Sequence, residues 1–155
     1  MKSQLLQEIK SLEQFFNTST RCLIESDSTF RPIPESMSAA EQVAHTAQSI
    51  DWFVDGMTNP KGFDLNFEVH WVEVKKCVSI TDARTWFAKS IANALATVEK
   101  MSNEELHALL PAGPVMGGKP KFAVISAMTD HTAHHRGALT VYSRLCGKVP
   151  DMPYL

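Results

Sequence analysis

Apolar residues recur at three- and four-residue intervals along four long stretches of this chain, and no stretch alternates cleanly in the two-residue rhythm of a strand. The first stretch sets Leu5, Ile9, Leu12, Phe16 and Leu23 on one face with polar residues opposite, which predicts an amphipathic helix to about residue 26. The proline- and serine-rich run "SDSTFRPIPESMS" then reads as a loop. Ser38 and Glu41 form an S-x-x-E capping box, so a second helix should start there and run to near Thr58, where Asn59 and Pro60 stop it. A third is expected from about Asp82 to Met101, with Phe87, Ile91, Ala94, Val98 and Met101 on one stripe. Ser102 and Glu105 repeat the capping box before a short helical turn. After the loop "PAGPVMGGKP", a fourth helix should run from about Pro120 to Cys146, ended by Gly147 and then Pro150. Residues 61 to 80 stay open: "FEVHWVEV" is rich in β-branched and aromatic residues but fits neither period. With no internal repeat in 155 residues, four such helices predict an all-α protein, a four-helix bundle in a single domain spanning residues 1 to 155.

Charge and cysteine usage narrow the partners. Fifteen Lys and Arg stand against 17 Asp and Glu, so no excess of positive charge argues for nucleic acid or an anionic membrane surface. Cys22, Cys77 and Cys146 are odd in number and widely spaced, which speaks against a disulfide framework or a cysteine zinc ribbon. No apolar run reaches the roughly 18 residues of a membrane span, and "MKSQLLQEIKSLEQFF" has no signal-like apolar region. The expectation is a reduced, cytoplasmic protein.

The unusual feature is "DHTAHHRGALTVYSRLCG" at the end of the fourth helix. At about 100° per residue, His131 and His135 lie about 40° apart, within the stripe formed by Val124, Ala127, Met128, Ala138, Tyr142 and Leu145, with Arg136 on the far side. Two imidazoles on a core-facing stripe need partners, and side chains at i and i+4 can reach one divalent ion. A third ligand would come from another helix, and His45 is the best candidate, being mid-helix. It shares its face with Glu41, Ser49 and Trp52, while Val43, Ala47, Ile50 and Val54 face the other way. Such a site would line a partly polar pocket, as an open catalytic site does. His134 sits at the stripe's edge as a surface or supporting residue, and His70 and His107 read as surface histidines. Asp130 or Tyr142 could receive an imidazole N–H; Tyr142 could equally be a core residue with a satisfied hydroxyl.

The mid-helix His45, followed at the C-terminus by "DHTAHHRGALTVYSRLCGKVPDMPY" with its H-x-x-x-H-x-G-x-x-x-x-Y-x-R-x-x-G pattern, resembles the DinB-like (DinB/YfiT) superfamily of bacterial proteins. The resemblance covers most of the chain. It implies an up-down-down-up bundle, often a homodimer, with a divalent metal ion, nickel or zinc, on three histidines that match His45, His131 and His135. Family members of known activity include metal-dependent transferases of low-molecular-weight thiols such as bacillithiol or mycothiol, and a thiol-dependent isomerase. A small-molecule substrate, such as a low-molecular-weight thiol, is the expectation the resemblance carries.

Other motifs fail. "GPVMGGKP" nearly spells a phosphate-binding loop, but Pro120 stands where the magnesium-holding hydroxyl belongs. Glu104 to His107 match one E-x-x-H of a di-iron bundle that needs two. Thr132 after His131 rules out the H-E-x-x-H motif. Three readings remain: a metal-dependent thiol transferase or hydrolase, a non-catalytic metal-stabilised stress or binding protein, and a metal-free dimeric scaffold. For either metal reading, affinity should fall as pH drops through about 6.5, since the ligands must be deprotonated.

Overall fold

The computed structural model describes residues 1–154. It contains α1 (Lys2–Thr20), a 3-10 turn at Glu25–Asp27, α2 (Ala39–Thr58), α3 (Phe67–Lys76), α4 (Ile80–Lys100), α5 (Asn103–His107) and α6 (Ala123–Leu145), with no strand among the described residues. The all-helical expectation therefore holds, with α1, α2, α4 and α6 as the long helices.

Helix ends follow local chemistry. At the start of α2, Ser38 Oγ accepts from the Glu41 amide at 3.2 Å and the Ser38 amide donates to Glu41 Oε2 at 2.7 Å, a complete capping box. Ser102 and Glu105 form the same box at α5. Gly147, at φ +73°, ends α6: its amide donates to the Arg144 carbonyl and the Lys148 amide to the Ser143 carbonyl, the paired bonds of a Schellman motif.

Helix α1 stops at Thr20 rather than near residue 26. The run Asn17, Thr18, Ser19, Thr20 propagates a helix poorly. Arg84 Nη2 holds the chain at the break, at 2.6 Å from Thr20 O and 3.5 Å from Leu23 O. Leu23 stays buried beyond the break, so the apolar period ran past the helix that began it. Residues 67 to 76, left open by the sequence, are helical. Only Val74 of α3 is buried, whereas Phe67, Val69 and Val72 are exposed, so no core-facing stripe marked the helix.

Cross-helix bonds fix the directions. Lys2 Nζ donates to Glu99 O at 2.9 Å, and Arg84 reaches Thr20, so α1 and α4 are antiparallel. Arg21 meets Asp151 at 2.6 Å and the Phe15 ring meets Tyr154, so α1 and α6 end together. Ser28 binds both the Ala40 amide and the Ile80 amide, so α2 and α4 start at the same end. The order is up-down-down-up.

Between the two parallel helices, residues 59–79 must travel the length of the bundle, carrying α3. That strap lies close against α2 because Gly56 has no side chain: an added Cβ would overlap the Phe63 ring. The core is layered with Ile9, Phe16, Ile50, Met57, Phe87, Ile91, Met128 and Leu139, all at 2% exposure or less. Phe16 stacks on Phe87 with ring centroids 4.4 Å apart. On α6 the wheel holds for Val124, Met128 and Tyr142 but not for Leu145, which is 58% exposed because the last turn projects beyond α2. Arg136 faces α1 rather than open water, its guanidinium over the Phe15 ring at 5.7 Å.

Candidate metal centre

Helix α2 is covered on almost all sides. Its apolar face packs on α4, and the face carrying Gln42, His45 and Ser49 meets α6 running the opposite way. Antiparallel packing sets Gln42 opposite His135 and Ser49 opposite His131, with His45 between them. One ring nitrogen from each of His45, His131 and His135 lies within 4.8 Å of the other two. The three residues singled out from the sequence thus converge as a cluster that could hold a metal ion.

The bonding inside the cluster fixes which atoms face inward. His135 Nδ1 is 2.8 Å from Gln42 Oε1. A carbonyl oxygen only accepts, so Nδ1 carries the proton and Nε2 keeps its lone pair. That Nε2 lies 3.1 Å from His131 Nε2, which is also 3.1 Å from Ser49 Oγ. Two nitrogens on one tetrahedral ion, at the usual bond length of about 2.0–2.1 Å, would stand about 3.3 Å apart. His45 Nδ1 is closed off from solvent and has no hydrogen-bond partner. A buried polar atom without a partner is costly, and an ion at the cluster would supply one.

Electrostatics keeps the lone pairs free. Burial, reinforced by His131 and His134, pushes His45 down to about 4. Burial, then the neighbouring His45, His131 and His134, pushes His135 down to about 3. Burial also lowers His131, with Asp130 opposing weakly. All three rings are therefore neutral at pH 7. Neutral imidazoles leave a bound dication its full charge, and such a donor set suits zinc, nickel and their neighbours. The residues present fit a divalent ion.

Aromatic rings flank the cluster, of which His135 is buried and His45 and His131 are half-buried. Phe53 stands edge-on to His131 at 5.9 Å and Trp71 edge-on to His45 at 6.0 Å. Outside them lies a cavity of about 330 Å3 lined by His45, Phe67, Glu68, His70 and Trp71.

Several supporting residues are not those expected. Gln42, invisible as a candidate in the sequence, is the partner that orients His135; its signal was a polar side chain three residues before His45 on the same helical face. Tyr142 donates to the Met37 carbonyl at 2.9 Å, so its hydroxyl is satisfied in the core and it lines no pocket at the cluster. Asp130 and His134 are exposed. His107 is exposed as expected, but His70 is half-buried at the cavity, 3.2 Å from Asp64 Oδ2.

Residues 8–139 match the family model of the DinB superfamily. The fold is similar to that of a DinB-like protein from Bacillus subtilis, known from its crystal structure, with a TM-score of 0.67 and 21% sequence identity over 96% of this chain and 95% of that chain. No curated protein matches the chain.

Proposed function

The chain belongs to the DinB superfamily, and on that premise we propose that it holds nickel or zinc on His45, His131 and His135 as a metal-dependent enzyme of the low-molecular-weight thiol transferase or hydrolase type. The observation that carries the reading is the locked geometry of the donors. Gln42 holds His135 in the tautomer that aims Nε2 at His131, and His45 Nδ1 is buried with no other partner. A surface histidine pair would show neither.

When bound, such an ion would supply the Lewis acidity that lets a thiol or a water lose its proton near neutral pH. The chain's own residues do the rest. Gln42 orients the His135 ring through its other nitrogen, Nδ1, and a supporting bond of this kind tunes ligand basicity as well as direction. Phe53 and Trp71 pack edge-on against His131 and His45 and replace part of the water around them with apolar surface, which strengthens electrostatic interactions there. The cavity beyond His45 has room for a small-molecule substrate, which favours an enzyme over a closed, purely structural site. The same reading has the protein working as a homodimer in the cytoplasm, away from nucleic acid and membrane. No helix among the described residues is long and apolar enough to cross a membrane.

The test is elemental mass spectrometry on protein purified without a histidine tag, beside His135→Ala. About one ion per chain in the parent, absent from the variant, supports the site and leads to assays of thiol transfer and hydrolysis. No uptake of nickel or zinc by the parent, even on reconstitution, sinks the reading.

A further inference from the structure

A second cavity, of about 250 Å3, lies between α2, α4 and the strap, lined by Gln48, Asp51, Trp52, Asp55, Asp64, His70, Glu73 and Trp86. His70 borders both this cavity and the one that touches His45, so the two adjoin. Two indoles form the apolar wall, and four of the six polar residues are carboxylates, the others being Gln48 and His70. Both indole N–H groups are already used: Trp52 Nε1 donates to Asp64 O at 2.6 Å and Trp86 Nε1 to Asp51 Oδ2 at 2.8 Å. The rings therefore offer π surface and no donor to an anion.

Among the described residues, no lysine or arginine lines the cavity. Glu73 is compensated by Lys76 at 2.7 Å, which leaves Asp51, Asp55 and Asp64 to set the sign of the field. Asp64 lies near His70, whose Nε2 is shut off from solvent at the cavity wall and has no aligned hydrogen-bond partner. Electron-rich ring surface beside uncompensated carboxylates attracts an organic cation and repels a carboxylate or phosphate.

We propose that this cleft binds the organic ammonium group of the substrate and so selects cationic or neutral small molecules over anionic ones. As a statement about substrate choice, this rests on the metal-dependent reading above, with the cleft positioning one end of a molecule whose other end reaches His45. An acidic cleft also disfavours a thiol cofactor that carries carboxylates, unless those carboxylates point away from Asp51 and Asp55.

Three probes of one shape test it: choline, its neutral isostere 3,3-dimethyl-1-butanol, and the anion 3,3-dimethylbutanoate. Binding to the full-length protein is followed by tryptophan fluorescence and calorimetry. Choline should bind about tenfold or more tightly than the alcohol, with the anion weakest. In Asp51→Asn/Asp55→Asn, which keeps an acceptor for Trp86, choline affinity should fall toward that of the alcohol, while the alcohol is unchanged. Should the double variant fail to fold, Trp52→Leu gives an equivalent reading, weakening choline more than the alcohol. Choline binding that is absent, no tighter than the alcohol, or unaffected by these substitutions overturns the proposal. Metal uptake is measured on the same samples. Cation preference without metal uptake removes the catalytic reading and leaves the ammonium site, whereas metal uptake without cation preference does the reverse.

Discussion

The α1/α4 half of the bundle and the α2/α6 half bury different materials. Between α1 and α4 the core is Ile9, Phe16, Phe87 and Ile91, and polar contact across the pair gathers at one end, where Arg84 donates to the Thr20 hydroxyl and carbonyl. Between α2 and α6 the buried residues include Gln42, Ser49 and His135, whose partners lie on the facing helix. The middle of the first half holds apolar area alone. In the second, every polar atom withdrawn from water must be matched, and a mismatch costs roughly 2–7 kcal/mol on apolar-transfer scales. The unmatched atom, His45 Nδ1, is where a ligand is called for.

The sharpest way to break this contrast is to remove a donor. His135→Ala should abolish metal uptake, read by elemental analysis, while the metal-free variant still folds with a helical circular-dichroism spectrum. Next is the dry half: Phe16→Ala removes the ring stacked on Phe87 and should cost about 3–5 kcal/mol in urea unfolding. The folded fraction should still take up metal like the parent, and a loss of metal there would mean that the halves are not separable. Gln42→Leu keeps the three histidines but frees His135 to rotate, and should weaken metal affinity by about 10- to 100-fold in competition with a chelating dye.

A smaller effect separates the halves by pH. His45 is held near 4 and His135 near 3, against 6.5 for the unperturbed ring. Below about 6.5 the unfolded chain takes up protons that the folded chain refuses, so the unfolded state binds more and folding stability falls. The metal-free protein should lose stability as pH drops from about 6.5 toward the folded values, and the urea midpoint should fall between about pH 7.5 and 5.5. Replacing His45 and His135 by Asn should flatten that slope; an unchanged slope would place its origin elsewhere. The smallest effect ignores the contrast: Ser38→Ala on α2 and Ser102→Ala on α5 should each lose about 1 kcal/mol of stability, because capping is local to its own first turn.

Legibility in the sequence follows the same division. Ser38, Glu41, Ser102, Glu105 and Gly147 act within a few residues of chain, so their roles could be read directly. The apolar stripes of α1, α4 and α6 were visible because burial imposes the helical period. The end of α1 was not, since Leu23 keeps the period after the backbone has turned and the Arg84 that receives the turn lies far along the chain. Helix α3 was hidden because its Phe67, Val69 and Val72 point outward. In the cluster, the histidines stood out by type and spacing. Gln42 did not, because a glutamine gains its role only from what stands across the interface, and no single helix encodes that.

Parallel α2 and α4 leave the chain with a long return journey, and the strap that makes it gives the core only one buried side chain from α3, Val74. Yet Asp64, His70 and Glu73 of that strap line the cleft, and Phe67 and Trp71 line the cavity beside His45. The residues that would hold the ion stand on the rigid helices, while many of those that would choose the substrate stand on a segment with little packing to protect. Evolution can rewrite such a segment without disturbing its neighbours, so one inherited scaffold can be readdressed to new molecules while its three-histidine cluster is kept.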